Sequence, residues 1–205
     1  MKNIRMMTQL ALLTAITLVL AYTPLGYLRV GPINASFLSV PVCIGAIVMG
    51  PAAGAFLGMV FGLTSFGNAV SGGSVLGMTL LSISPVGYFV QAVIGRMLMG
   101  LCCGLVFRAA RKLTRGGVAG YVVGAVSAPV LNTTFYMGLM CLLFFGTEYI
   151  QKQANGASPI MFILTAVGVQ GVIEILVCGV LGCVVSRAVD TALGRRGTAS
   201  PDENM

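Results

Sequence analysis

Apolar residues gather into six stretches, separated by short polar connections: Met6 to Tyr22, Phe37 to Met49, Pro51 to Phe66, Val86 to Phe107, Val118 to Phe145, and Ile160 to Val185. A helix needs roughly 20 apolar residues to cross a bilayer. The pattern therefore predicts an all-α integral membrane protein, a six-transmembrane-helix bundle. The second and third stretches are short, so they tilt and borrow flanking residues, or one is partly re-entrant against protein. Gly50-Pro51 makes the turn between them, with proline at a helix start where its missing N–H costs nothing. Residues 1–193 read as a single domain, and 194–205 as a polar tail expected to be disordered. Lys2 and Arg5 ahead of the first stretch also fit a signal peptide, but no small-x-small cleavage site follows, so a retained helix is expected.

Composition changes the picture in one respect. Of the 205 residues, 57% are hydrophobic and 8% charged, against about 25% charged in a soluble domain, so lipid must solvate much of the surface. The net charge of +7 does not point to nucleic acid, because the basic residues collect at the ends of the stretches. With six spans, Lys2, Arg5, Arg108, Arg111, Lys112, Arg115, Arg187, Arg195 and Arg196 fall on one side, and only Arg29 and Lys152 on the other. The richer side is cytoplasmic, which puts both termini inside a multi-pass protein of the cell membrane. Three longer connections then lie outside: Thr23 to Ser36, Gly67 to Pro85, and Gly146 to Pro159. Rich in Gly, Ser, Pro and Asn, they suit loops folded over a site. Tyr22, Tyr27 and Tyr88 stand where interfacial aromatic anchors belong. Asn34-Ala35-Ser36 and Asn132-Thr133-Thr134 match the glycosylation pattern by accident, the second at membrane depth.

The chemistry is sparse. No phosphate-cradling GxxxxGK[ST] occurs, no HExxH or GxSxG, and no histidine. The six cysteines lie in apolar runs without metal-site spacing and read as packing residues. The chain is thus expected to be no enzyme, with no metal and no cofactor of its own. What it does carry is a few polar groups at membrane depth, which are costly and so functional candidates. Arg96, Asn132 and Glu174 fall near the middles of the fourth, fifth and sixth stretches; Arg96 and Glu174 should face inward and find partners, either in a ligand or in each other as a pair that only fixes packing. Gln170 and Glu174 share one helical face, as do Asn132 and Tyr136. With Gln91, and with Asn68 near the lid, they predict an outward-opening pocket for a small, hydrogen-bonding ligand, neutral or anionic. The lack of Trp counts against a large flat one. Gly54/Gly58/Gly62, Gly100/Gly104 and Gly120/Gly124 place small residues on single faces, as internal packing requires, while Ala11 and Ala15 offer a face to a partner helix.

The Ala11-x-x-x-Ala15 motif, the stretch YTPLGYLRVGP from Tyr22 to Pro32 and the glycine-ridged GPAAGAFLGMVFGLTSF from Gly50 to Phe66 together resemble the substrate-specific (S) components of energy-coupling-factor (ECF) vitamin transporters, over roughly Met6 to Val185. The resemblance implies a six-helix bundle that binds one vitamin-like molecule from outside. A separate transmembrane coupling subunit and two ATPase subunits would drive transport, with ATP bound by those partners and the Ala11/Ala15 face on the coupling subunit. Pantothenate-type members are the nearest in pattern; folate or another small metabolite is the alternative ligand. From the residues alone, a proton-coupled secondary carrier using Glu174 and a purely structural subunit stay open.

Overall fold

The structure, a computed structural model, describes residues 2–23, 26–30, 33–114, 117–154, 156 and 158–192, and only the main chain at 2–3, 5, 27–30, 33–36, 153–154, 159–160, 162–170 and 190. The tail expected at 194–205 lies outside the described residues. Helix α1 spans Lys2–Tyr22. A short antiparallel hairpin follows, β1 (Tyr27–Val30) with β2 (Ile33–Ser36), in register from Tyr27 opposite Ser36 to Val30 opposite Ile33. Then come α2 (Ser39–Val48), α3 (Pro51–Val70), α4 (Val75–Ile83) and α5 (Pro85–Phe89). A wider π-helical turn, Val90–Ile94, joins α5 to α6 (Gly95–Leu113), and α7 (Val118–Phe144), α8 (Glu148–Ala154) and α9 (Pro159–Ala192) complete the chain.

Each of the six apolar stretches is helical. Among the described residues, four helices are long and apolar enough to cross a membrane, Pro51–Val70, Pro85–Leu113, Val118–Phe144 and Gly171–Val189; Met6–Tyr22 and Ser39–Val48 are apolar but shorter. The protein is a helical bundle of membrane character.

The three connections expected as loops carry structure of their own. The first holds the hairpin, and the third holds α8. In the second, α3 continues to Val70, and Ser74 starts α4 by accepting from the N–H of Gly77 at 3.1 Å. Ser84 likewise caps α5, accepting from Gly87 at 3.2 Å with Pro85 at the first helical position. Serine at an N-cap satisfies a donor that the helix start leaves unpaired, so residues that look like loop composition here begin helices. Tyr88, expected as an interfacial anchor, is instead buried: its ring stacks on Phe66 at 5.8 Å between centroids and packs with Leu80, Met140 and Phe144 under α4 and α8. Tyr22 is exposed, and the Tyr27 side chain lies outside the described residues.

Gly50 turns the chain between α2 and α3 with φ of 99°, a backbone that glycine adopts without strain, and Pro51 opens α3. From there α3 runs antiparallel to α6 with glycines against main chain. Cβ atoms at Gly54, Gly58 and Gly62 would meet the carbonyl oxygens of Gly100, Arg96 and Ala92 in turn. Gly104 faces Pro51, and Gly124 of α7 faces Phe107. All three glycine ridges are therefore spent inside the bundle. In lipid, where apolar side chains gain little by leaving the solvent, such close backbone approach is what draws helices together.

Candidate functional site

Arg96 is 8% exposed, one residue into α6. Its guanidinium lies between two rings, with Cζ 4.4 Å from the centroid of Phe61 on α3 and 4.5 Å from that of Tyr136 on α7. Each such contact is worth about 0.5–2 kcal/mol, more as water is excluded. Nη1 donates to the carbonyl of Ala92 at 3.1 Å, while Nε is buried without a partner. The glycine seam fixes this position: Gly58 and Gly62 flank Phe61 on α3, and they touch the main chain of Arg96 and Ala92.

Gln91, in the π turn, is fully buried. Its Nε2 donates to the carbonyl of Tyr136 at 3.4 Å, and its Oε1 has no partner. Asn132 sits one turn before Tyr136 on α7, and its Oδ1 is buried and unpartnered as well. Among the described residues, four buried side-chain polar atoms lack a hydrogen bond: Gln91 Oε1, Arg96 Nε, Asn132 Oδ1 and Ser186 Oγ. Buried polar atoms are rarely left so; of these residues Gln91 and Arg96 both meet Tyr136, and Asn132 is one turn before it on α7. The arrangement offers a cationic donor and two carbonyl acceptors in an otherwise apolar, aromatic setting.

Glu174 of α9 is also buried, and Ser39, at the start of α2, donates its hydroxyl to Oε1 at 3.2 Å. Arg96 and Glu174 form no salt bridge with each other among the described residues. Each has its own partners, the rings for Arg96 and the serine for Glu174, so the closed pair considered from sequence is not what the structure holds. Asn68 lies at the far end of α3, about two turns or roughly 10 Å beyond Phe61 on the same face. Its carbonyl accepts from Ser71 Oγ at 3.1 Å and from the N–H of Gly73 at 2.8 Å, closing the turn into α4. Gln170 is one turn ahead of Glu174 on α9, and its side chain lies outside the described residues. Phe61 and Ser39 are the residues that sequence reasoning missed.

Among the described residues, no group of three His, Cys, Asp or Glu side chains is arranged to hold a metal ion. Cys43 and Cys103 share the carbonyl of Gly124, at 4.0 and 3.4 Å, and Ser127 donates to Cys103 Sγ at 3.7 Å, so these thiols are absorbed in the α2–α6–α7 core. Ala11 and Ala15 are exposed on α1. Beside α1 an apolar groove of about 630 Å³ opens between α1, α2 and α9, lined by residues such as Leu12, Ile16, Phe37, Ile44 and Leu181; none of the candidate polar residues is in its walls.

A family model described as "ECF transporter, substrate-specific component" matches residues 5–186. The chain belongs to this family. ECF S components are parts of transporters and not enzymes. This S component is also 30% identical over 125 residues to the "Pantothenic acid transporter PanT" of Lactococcus lactis subsp. cremoris (strain MG1363), a match covering 57% of the chain and 60% of that relative.

Proposed function

We propose that this S component crosses the cell membrane six times, with both termini cytoplasmic, and binds pantothenate from outside through Arg96, Gln91, Asn132 and Tyr136. The observation that carries the reading is the guanidinium held between Phe61 and Tyr136 with its own Nε unpartnered, and with unpartnered acceptors on Gln91 and Asn132 of the same helices. Pantothenate has a carboxylate to accept from Arg96, and hydroxyl and amide hydrogens to donate to Gln91 Oε1 and Asn132 Oδ1. Asn68 and Gln170 would line the outer approach, and Glu174, braced by Ser39, would add an acceptor deeper in. The likeness to PanT supports this ligand over folate, whose broad flat ring has no Trp to stack on. Delivery inward would be ATP-driven, through a transmembrane coupling subunit and two ATPase subunits, as family membership implies.

Titration calorimetry on the purified protein tests the ligand. Saturable one-to-one binding of pantothenate is expected, with no heat from folate. Binding of folate with exclusion of pantothenate would transfer the reading to the folate alternative; uptake driven by a proton gradient without partner subunits would favour a stand-alone carrier.

The exposed Ala11/Ala15 face of α1 is the proposed seat of the coupling subunit. A close helix contact cannot absorb added bulk. The double substitution Ala11→Leu/Ala15→Leu should lower ATP-driven uptake in vesicles holding the partner subunits by about tenfold or more, the equivalent of about 1.4 kcal/mol. Pantothenate affinity of the isolated subunit should not change. Undiminished uptake would move the docking face elsewhere.

A further inference from the structure

Between Gln91 and Arg96 the helix is not α-helical. Val90–Ile94 form a π turn in which the N–H of Gly95 bonds to the carbonyl of Val90, five residues back. A π turn holds one more residue than an α turn, so residues five apart stack along its axis. In an α-helix, at 100° per residue, the same spacing would leave Gln91 and Arg96 about 140° apart. Instead both meet α7 at one residue: Gln91 donates to the carbonyl of Tyr136, and the Tyr136 ring covers the Arg96 guanidinium. The helix on either side is held in phase by its neighbours. Upstream, Tyr88 is fixed under α4 by Phe66; downstream, Gly100 abuts the carbonyl of Gly54. The extra residue cannot be dispersed along the helix and is absorbed in the one turn.

We propose that this single extra residue is a positioning device for ligand recognition. It turns Gln91 onto the face of Arg96, so that Gln91 Oε1 accepts a hydrogen bond from the same ligand whose anionic group Arg96 holds. The inference rests on the pantothenate reading above, and adds that recognition depends on the register of the turn as well as on the residues it carries.

Two single-residue deletions separate register from composition. Removing Val93 lets the turn close into an α-helix with Gln91 four residues before Arg96, on its face. Removing Val90 produces the same straight helix with the same flanks, but keeps the spacing at five and turns Gln91 away. Pantothenate binding to the purified full-length variants is measured by calorimetry. Deletion of Val93 should leave affinity within about threefold of the parent, whereas deletion of Val90 should weaken it about tenfold, as much as Gln91→Leu, the cost of one lost hydrogen bond to the ligand. Adding Ala92→Gln to the Val90 deletion should restore binding, since residue 92 then occupies the aligned position. Equal binding by the two deletions, with Gln91→Leu still impaired, would overturn the register proposal. Unimpaired binding by both Gln91→Leu and Arg96→Met would overturn the ligand reading beneath it. Should either deletion fail to fold, the swap Gln91→Ala/Ala92→Gln in the full-length helix decides: it should bind no better than Gln91→Leu, and rescue by the swap would mean an ordinary α register and refute the proposal.

Discussion

Replacing Arg96 by methionine is expected to weaken pantothenate binding by about 10- to 150-fold, the loss of a charge-assisted hydrogen bond worth roughly 1.5–3 kcal/mol. The fold should survive. Methionine keeps much of the length and the apolar stem between the Phe61 and Tyr136 rings, where sulfur packs well, and it removes a charge whose Nε has no partner. Exchanging a buried charge for a packed apolar group is often neutral or stabilising. Glu174→Gln is the comparison: its carbonyl oxygen can still accept from Ser39, so the hydrogen bond at 3.2 Å is preserved and stability should change little, while affinity should fall less than in Arg96→Met because one acceptor and not the cation is lost. Thermal unfolding in detergent and calorimetry on the same preparations read the two properties separately. If both variants lose stability equally and the surviving folded protein binds pantothenate normally, Arg96 serves packing and the site lies elsewhere.

Gly58→Val should strongly destabilise the bundle. A Cβ there would lie 2.9 Å from the carbonyl carbon of Arg96, and closer to its oxygen, and both obstacles are main chain that cannot rotate away. Overpacking of this kind costs about 1–3 kcal/mol; at about 2–4 °C per kcal/mol for a chain of this size, the midpoint should fall by several degrees. Affinity should fall with it, because the displaced backbone carries Arg96 and its neighbours Ala92 and Gln91. Gly138→Ala on α7 is the control, with nothing within 4 Å of its Cβ; it should be neutral or slightly stabilising, as alanine is the better helix former. Equal midpoints for Gly58→Val and Gly138→Ala would mean that α3 and α6 can part without penalty, and would sink the argument from the seam.

The helical cores were legible because each is a long, predominantly apolar run, a signal that survives ignorance of every contact. The ends were not. Ser74 and Ser84 look like loop residues until their hydroxyls are seen capping α4 and α5, and the same composition serves either purpose. Arg96, Gln91 and Asn132 could be singled out because polar groups are conspicuous in an apolar helix. Phe61 could not, since an aromatic residue between two glycines reads as core until a guanidinium is found on its face. Ser39 and Glu174 stand 135 residues apart, and no local pattern joins them. The π turn was invisible for a further reason: an inserted residue leaves hydropathy unchanged and alters only phase.

The seam between α3 and α6 also restricts how the molecule can move. Gly54, Gly58 and Gly62 recur every fourth residue, and so do the carbonyls of Gly100, Arg96 and Ala92 that they face. Two such rows mesh like a rack: sliding one helix along the other by less than a full repeat, about 6 Å at 1.5 Å per residue, would drive main chain into main chain. The height of Arg96 relative to Phe61 is thereby locked, and any opening that admits a ligand must be made by elements outside this pair.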